Sequence, residues 1–477
     1  MLFNSIDFAI FLPIVFVLYW LVANKNLKFQ NLLLLLSSYF FYTWWDWRFL
    51  SLIVFSSTID YIIGLRLSNT TNESKRKFLL LTSIFINIGF LGFFKYFNFF
   101  SESFAQAFTL LGQPFEASRL NIILPVGISF YTFQTLSYSI DVYKRKMAPT
   151  KDIIAFFSFV SFFPQLVAGP IERATNLLPQ FYKKRNFDYL KAVDGLKQIL
   201  WGLFKKVVIA DNCAIIVNDI FANYASYSGS TLILGAIFFA FQIYGDFSGY
   251  SDIAIGTSRL FGFNLMQNFA FPYFSRDIAE FWRRWHISLS TWFRDYLYIP
   301  LGGSRVSSSK KIRNIFIIFI VSGFWHGANW TFIIWGALNA FYFLPLLLLK
   351  TNRTNLSIVA QGKIFPTIRE VVNILMTFFL TVFAWIFFRA ESVNHAINYI
   401  SKIFSNSLFS IPEIFPKTII LLIMFVFLEW VGREGEYGLK KLFLSYKRRT
   451  RWMAYLILCV LILYYSGREQ PFLYFQF

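Results

Sequence analysis

The sequence predicts an all-α polytopic membrane protein. Its about ten or eleven transmembrane helices are joined by re-entrant and interfacial helices, in a single integral membrane domain over residues 1–477. Three observations lead there. Only 15% of the residues are charged, against about 25% in an ordinary soluble domain. Hydrophobic residues make up 56% of the chain, with 63 Phe and 14 Trp among them. Long apolar runs recur from end to end, and runs of that length form helices, because barrel strands are short and alternate in polarity.

The runs are oriented by the lysines and arginines between them. Residues 6–23 are apolar and are followed by Lys25 and Lys28, which places the N-terminus outside. No basic residue precedes that run, so it reads as a retained helix and not as a signal peptide. Residues 29–45 cross outward and 48–65 cross back to the basic loop 66–77. Residues 78–100 go out, and 120–142 return to "YKRKMAPTK". The run 153–170 ends in Pro and Gly between basic segments, which suits a re-entrant or interfacial element. Residues 188–206 mix Asp188, Lys191, Asp194, Lys197, Lys205 and Lys206 with apolar residues, the pattern of a surface amphipathic helix. Residues 231–250 form a span closing in "YGDFSGYSD".

Residues 276–300 have apolar side chains at 278, 281, 282, 285, 289, 292, 293 and 296, one face of a helix lying near the cytoplasmic interface. The loop "LGGSRVSSSKK" follows. Residues 314–328 go out, 331–349 come in, 371–388 go out and 417–431 return. The inner loop 437–451 is strongly basic, and 452–466 cross a last time, leaving the C-terminus outside. No internal repeat of transporter type is visible.

The net charge of +20 sits mainly in short segments between apolar runs. That is the cytoplasmic-loop signature, and the expected partners are membrane lipids, not nucleic acid. A share of the charge is available to hold an anionic substrate at the inner face. Cys213 and Cys459 lie far apart without metal-type spacing, so neither a disulfide framework nor a metal site is expected.

Chemistry concentrates at few positions. His326 lies in "GFWHGANW", inside one of the most apolar stretches. It is thirteen residues past Arg313, which with Lys310 and Lys311 marks the inner end of its helix. That is roughly 20 Å of helix within a hydrocarbon core of roughly 30 Å. A titratable ring there is either a functional group or a neutral hydrogen-bonding link between helices. Gly323, Gly327 and Ala328 are small enough to open a space beside it. His286, in "FWRRWHISLS", reads on its own as an interfacial histidine beside two tryptophans. His395 is expected outside, with no role. Asp246 and Asp252 end an apolar span together with Tyr244, Ser248 and Tyr250; they either line a polar passage or cap a helix. No nucleophile elbow, phosphate-binding loop or zinc motif occurs.

At "FWRRWHISLSTWFRDYLYIPLGG", followed by "GFWHGANWTFIIWGALNA", the sequence resembles the membrane-bound O-acyltransferase family, in its bacterial polysaccharide O-acetyltransferase branch. "LPVGISFYTFQTLSYSIDVY", "FFPQLVAGPIER" and "YGDFSGYSDIAIG" resemble the same branch, so the likeness extends over most of the chain. It implies a helical funnel and tunnel in which a cytoplasmic acyl donor meets an outer acceptor. The family's catalytic histidine falls on His326 and its second signature histidine on His286. The implied reaction moves acetyl from a donor substrate, acetyl-CoA, to an extracytoplasmic polysaccharide such as alginate or peptidoglycan, with no bound cofactor. The implied setting is a bacterial cytoplasmic (inner) membrane, with an esterase-like periplasmic partner of the SGNH type completing the transfer.

Within that frame His326 is the expected general base, kept neutral by its apolar surroundings. Arg283, Arg284, Lys205 and Lys206 are expected to receive the anionic donor at the inner face. Trp325, Asn329, Asp246 and Tyr250 are expected to line the tunnel, with Trp325, Asn329 and His286 as candidate donors to the thioester carbonyl. The tail 471–477 carries Phe-x-Tyr-x-x-Phe, which resembles the branch's C-terminal acyl-transfer motif and makes Tyr474 a candidate acyl relay. The alternative for the tail is an aromatic anchor at the interface. Two other functions stay open: carrier-protein-dependent D-alanyl transfer to teichoic acid, and transport without covalent chemistry.

Overall fold

A computed structural model describes residues 1–113, 115–442, 446–467 and 470–473. Among them every regular element is helical. Six helical stretches among the described residues are long and apolar enough to cross a membrane: Ile6–Lys25, Trp47–Ser68, Glu73–Leu110, Gly229–Leu260, Trp330–Leu348 and Ile368–Arg389. The other expected spans form helices that are shorter or that start in charge. Leu27–Thr43 and Pro416–Gly432 have 17 residues each and Ile128–Tyr143 has 16. Ser308–His326 begins around Lys310, Lys311 and Arg313, and Arg448–Tyr465 begins with Arg448, Arg449 and Arg451. At 1.5 Å per residue these helices are still about 24–29 Å long, close to the thickness of the hydrocarbon layer.

The run 153–170, expected as a re-entrant or interfacial element and not a full crossing, makes only the nine-residue helix Ile153–Ser161 and the short turn Phe163–Leu166, far below spanning length. Three local readings change. The span expected at 231–250 is a 32-residue helix, Gly229–Leu260, so Asp246 and Asp252 lie inside it and cap nothing. The expected surface helix 188–206 is Tyr189–Leu203 running into a π-helical turn, Phe204–Ala210, whose seven residues are all buried. The interfacial helix expected over 276–300 is broken at Trp285–His286 into Ile278–Arg284 and Ile287–Phe293. His286 has φ of 44°, a left-handed backbone that a helix cannot continue through.

The chain folds into two compact units. The first comprises Met1–Ala192 and Thr257–Met266. At its centre the buried Asp60 carboxylate accepts from Ser83 Oγ at 2.5 Å, Ser139 Oγ at 2.7 Å and Asn87 Nδ2 at 2.8 Å. These bonds tie the helices Leu50–Ser68, Glu73–Leu91 and Ile128–Tyr143 together. Interhelical polar links of this kind supply cohesion where lipid removes the hydrophobic drive between helices.

The second unit comprises Val193–Gly256 and Gln267–Phe477 and holds every described candidate site residue. Two close helix approaches shape it, and both depend on glycine. A Cβ at Gly202 would stand 2.5 Å from the Gly249 carbonyl, and one at Gly245 would stand 2.9 Å from the Lys205 carbonyl. Only small residues let these backbones meet. Likewise a Cβ at Gly323 would collide with the Phe332 carbonyl, and one at Gly336 with the Phe319 carbonyl. Gly323 and Gly327 therefore close the helix pair Ser308–His326 and Trp330–Leu348 tightly, where the sequence suggested that they open a space; Phe332 fills the place beside Gly327.

Candidate active site

His326 is the last residue of Ser308–His326, a helix that runs unbroken from its basic start, as the count from Arg313 requires. The ring is buried, 5.1 Å from Trp335 and 5.4 Å from Phe388 between centroids. The second histidine comes to the same place. His286 lies 6.4 Å from His326, and Trp325 stands 5.9 Å from His286 and 4.9 Å from His326. The helix break after Trp285 is what turns His286 inward; Ile287 N–H then donates to the Asn268 carbonyl at 2.9 Å.

Asn268 fixes the protonation of His286. The Ser288 backbone N–H can only donate, and it reaches Asn268 Oδ1 at 3.3 Å. The amide oxygen therefore faces this side, while Asn268 Nδ2 donates to Ser251 Oγ at 3.0 Å. His286 Nδ1, 3.1 Å from the same oxygen, must carry the proton. Its Nε2 is left as a lone pair with no hydrogen-bond partner among the described residues. Burial pushes the imidazole down to about 3, so it is neutral throughout the physiological range. Asn268→Leu removes this acceptor. Acyl transfer should then fall by about 10-fold or more, in kcat and not in KM. Steady-state kinetics on the purified variant would show it; an unchanged kcat would mean that the His286 tautomer is irrelevant to turnover.

The four basic residues assigned to the donor separate. Lys205 and Lys206 are buried in ion pairs and face no surface. Lys205 Nζ lies 2.6 Å from Asp252 Oδ2 and donates to Ser248 Oγ at 2.9 Å. Lys206 Nζ lies 2.7 Å from Asp211 Oδ1 and 2.8 Å from Asp246 Oδ1. The glycine approach of Gly202, Gly245 and Gly249 sets these lysines against the "GDFSGYSD" carboxylates. Charges removed from water persist only when paired this way. Arg284 is bound to the buried Glu280 at 2.9 Å and to the Ala270 and Ser357 carbonyls. These three side chains are structural in this arrangement, which corrects their placement at an open inner face.

Arg283 alone lines open space. It borders a cavity of about 830 Å³ that also takes in Arg294, Lys311, Lys350 and Arg353. Its own guanidinium donates to the Asn352 and Asn355 carbonyls at 2.9 and 2.7 Å, steadying the loop after Trp330–Leu348. Among the described residues, Lys311, Lys350 and Arg353 enter no ion pair. Further in, the wall is apolar, with Ile315, Phe319 and Phe343, and it reaches Ser322. Ser322 is one turn, about 6 Å, before His326. Trp282, also on the wall, packs against Phe319 at 5.3 Å and against Trp335 at 5.7 Å, and Trp335 touches His326. An apolar passage with a cationic end thus stops one ring short of the histidine pair.

Of the expected tunnel residues, Trp325 packs beside both histidines. Asn329 is occupied elsewhere: its oxygen caps Trp330–Leu348 through Thr331 N–H at 3.0 Å, and its amide donates to the Glu391 carbonyl at 2.9 Å. Asp246 belongs to the Lys206 ion pair, and Tyr250 is buried beside Phe472, 4.3 Å away. Tyr474 lies outside the described residues. Sequence reasoning missed Asn268, Trp282, Lys311, Lys350 and Arg353. Lys311 was visible as a helix-boundary cation, Lys350 and Arg353 only as part of a basic segment after 331–349, and Trp282 only as one residue of an apolar face; Asn268 carries no local signal.

Comparison with known proteins agrees with the family suggested by the motifs. The model of the membrane-bound O-acyltransferase family matches residues 148–388. The chain is 40% identical over 418 residues to a Pseudomonas aeruginosa protein named probable alginate O-acetylase AlgI, covering 87% of this chain and 77% of that one. It is 38% identical over 426 residues to the peptidoglycan O-acetyltransferase of Helicobacter pylori, covering 83% and 78%. The teichoic acid D-alanyltransferase of Streptococcus thermophilus is 32% identical over 232 residues, covering 46% and 55%. With its helical fold, its membrane-length helices and this match, the chain belongs to the membrane-bound O-acyltransferase family and is a membrane acyltransferase.

Proposed function

We propose that this acyltransferase moves acetyl from acetyl-CoA at the inner face of a bacterial cytoplasmic membrane to an extracytoplasmic polysaccharide, alginate or peptidoglycan being the acceptors of its named relatives. The observation that carries this reading is the cavity with three cations that enter no ion pair among the described residues, and an apolar wall reaching Ser322, one turn from the buried His326 that pairs with His286. A phosphorylated carrier cannot enter hydrocarbon, so its phosphates stay at Lys311, Lys350 and Arg353 while its thioester arm follows the apolar wall. Orientation in such a passage and exclusion of water are the protein's main contributions.

In the reaction, His326 takes the proton of an attacking hydroxyl. The hydroxyl oxygen bonds to the thioester carbonyl carbon, the carbon–sulfur bond breaks, and the thiolate recovers the proton from the imidazolium. His286 presents a lone pair at Nε2 that accepts a hydrogen bond from another N–H or O–H of the bound substrates, since the single proton of the attacking hydroxyl goes to His326. In the tautomer set by Asn268 it cannot donate to the carbonyl, and Asn329 is turned to Glu391, so Trp325 is the remaining candidate donor to the developing oxyanion. Tyr474 is the first acceptor: it becomes an acetyl ester and passes the acetyl to a sugar or to a periplasmic esterase-like partner. Both chain termini lie on that outer side.

Lys311→Glu combined with Arg353→Glu tests the donor end. KM for acetyl-CoA should rise by about 10-fold or more with kcat largely kept, because these charges bind donor and transition state alike. Salt should raise the wild-type KM in the same direction. An unchanged KM would remove the cavity as the donor site, and a requirement for a carrier-protein thioester would remove acetyl-CoA as the donor.

A further inference from the structure

The Lys206 ion pair does more than neutralise buried charge. Beyond the helix Arg448–Tyr465, residues 470–473 lie against this pair. Lys206 Nζ donates to the Gln470 carbonyl at 3.0 Å, and the Leu473 backbone N–H donates to Asp246 Oδ2 at 2.7 Å. Between these two bonds Phe472 is completely buried, 4.3 Å from Tyr250 and 6.3 Å from Phe247. Phe247 in turn lies 4.6 Å from His286. A cation and an anion thus hold one backbone carbonyl and one backbone N–H of the same four-residue stretch, and a single aromatic side chain plugs the gap.

We infer that Lys206, Asp246 and Phe472 form a dock that fixes residues 470–473 of the C-terminal segment, and that Lys206 and Asp246 are positioning residues for acetyl transfer through this dock. The buried charges then have a use that a pair of apolar residues could not serve. Charge-assisted bonds to backbone are shorter and stronger than neutral ones, and they fix register without depending on side-chain identity. Asp211 supplies the second carboxylate on Lys206, leaving Asp246 Oδ2 for Leu473. The position also explains why Lys206 cannot serve the inner face: it meets Gln470, past the end of Arg448–Tyr465 opposite to its basic start. This inference rests on the relay reading for its purpose, but the dock is measurable without it.

Hydrogen–deuterium exchange on the full-length protein in detergent is the test, read at the C-terminal peptide alongside acetyl transfer. In the wild type the Leu473 amide should exchange slowly. Phe472→Ala, a change on the tail itself that leaves the helical fold untouched, should speed that exchange by about 10-fold or more and lower acetyl transfer. Asp246→Asn should do the same, provided that its melting temperature is kept; Phe472→Leu should restore much of both. An unprotected C-terminal peptide in the wild type would overturn the dock. Fast exchange in Phe472→Ala with full acetyl transfer would overturn the positioning role. Slow exchange in Tyr474→Phe with full acetyl transfer would defeat the relay and leave the dock standing.

Discussion

Replacing His326 with alanine is expected to lower acetyl transfer by about 10²–10⁴-fold, the usual contribution of a positioned general base. The effect should appear in kcat, since the ring lies a turn beyond Ser322 on the cavity wall and is separate from the cavity's cationic residues. His326 contacts Trp325, Trp335 and Phe388, all of which remain in the variant, so insertion and extraction should be normal. The variant also separates the functional classes. An enzyme should lose polysaccharide acetyl while polysaccharide export continues. A transporter should lose export, with any acetylation retained. Measuring both on the same cells distinguishes them, and a variant that acetylates at the wild-type rate would end the role given to His326.

The second large effect is expected at the other end of the chain. Tyr474→Phe keeps the aromatic ring and removes only the hydroxyl, so an anchoring role would survive it and a relay would not. If acetyl passes through Tyr474, acetylation of the polysaccharide should fall to background. Phenol has a pKa of about 10, so a phenyl acetate surrenders its acetyl to a sugar hydroxyl far more readily than an alkyl ester does. Mass spectrometry of the C-terminal peptide from wild-type protein given acetyl-CoA without acceptor should show one added acetyl, absent from His326→Ala. Full acetylation by Tyr474→Phe would rule the relay out.

Much of the fold was legible because it rests on one-dimensional signals. Apolar length located the helices, and the place of His326 at the far end of a helix starting near Arg313 followed from counting residues along a helix that does run unbroken. What escaped the sequence depends on contacts between distant residues. The period of the apolar residues passes through Trp285 and His286 without interruption, so nothing announced the break that turns His286 inward. Lys205 and Lys206 looked like surface cations because two of their counter-charges, Asp252 and Asp246, lie more than a helix away in sequence, although Asp211 is only five residues from Lys206. The glycines of "YGDFSGYSD" were the missing clue: four residues apart at 245 and 249, they mark a close helix approach and bring those charges together. The cavity's loop cations were missed for a related reason, since Lys350 and Arg353 come from a loop that Arg283 holds at the cavity wall through the Asn352 and Asn355 carbonyls.

The central claim is that acetyl crosses the membrane by covalent transfer at His326. Proteoliposomes with the cytoplasmic face outward test it most directly, using labelled acetyl-CoA outside and a soluble glycan acceptor sealed within. Wild-type protein should place the label on the enclosed acceptor while the coenzyme stays outside, and His326→Ala should place none there. Label on the enclosed acceptor at equal rates in both proteins, or label only on acceptor added to the donor's side, would contradict it.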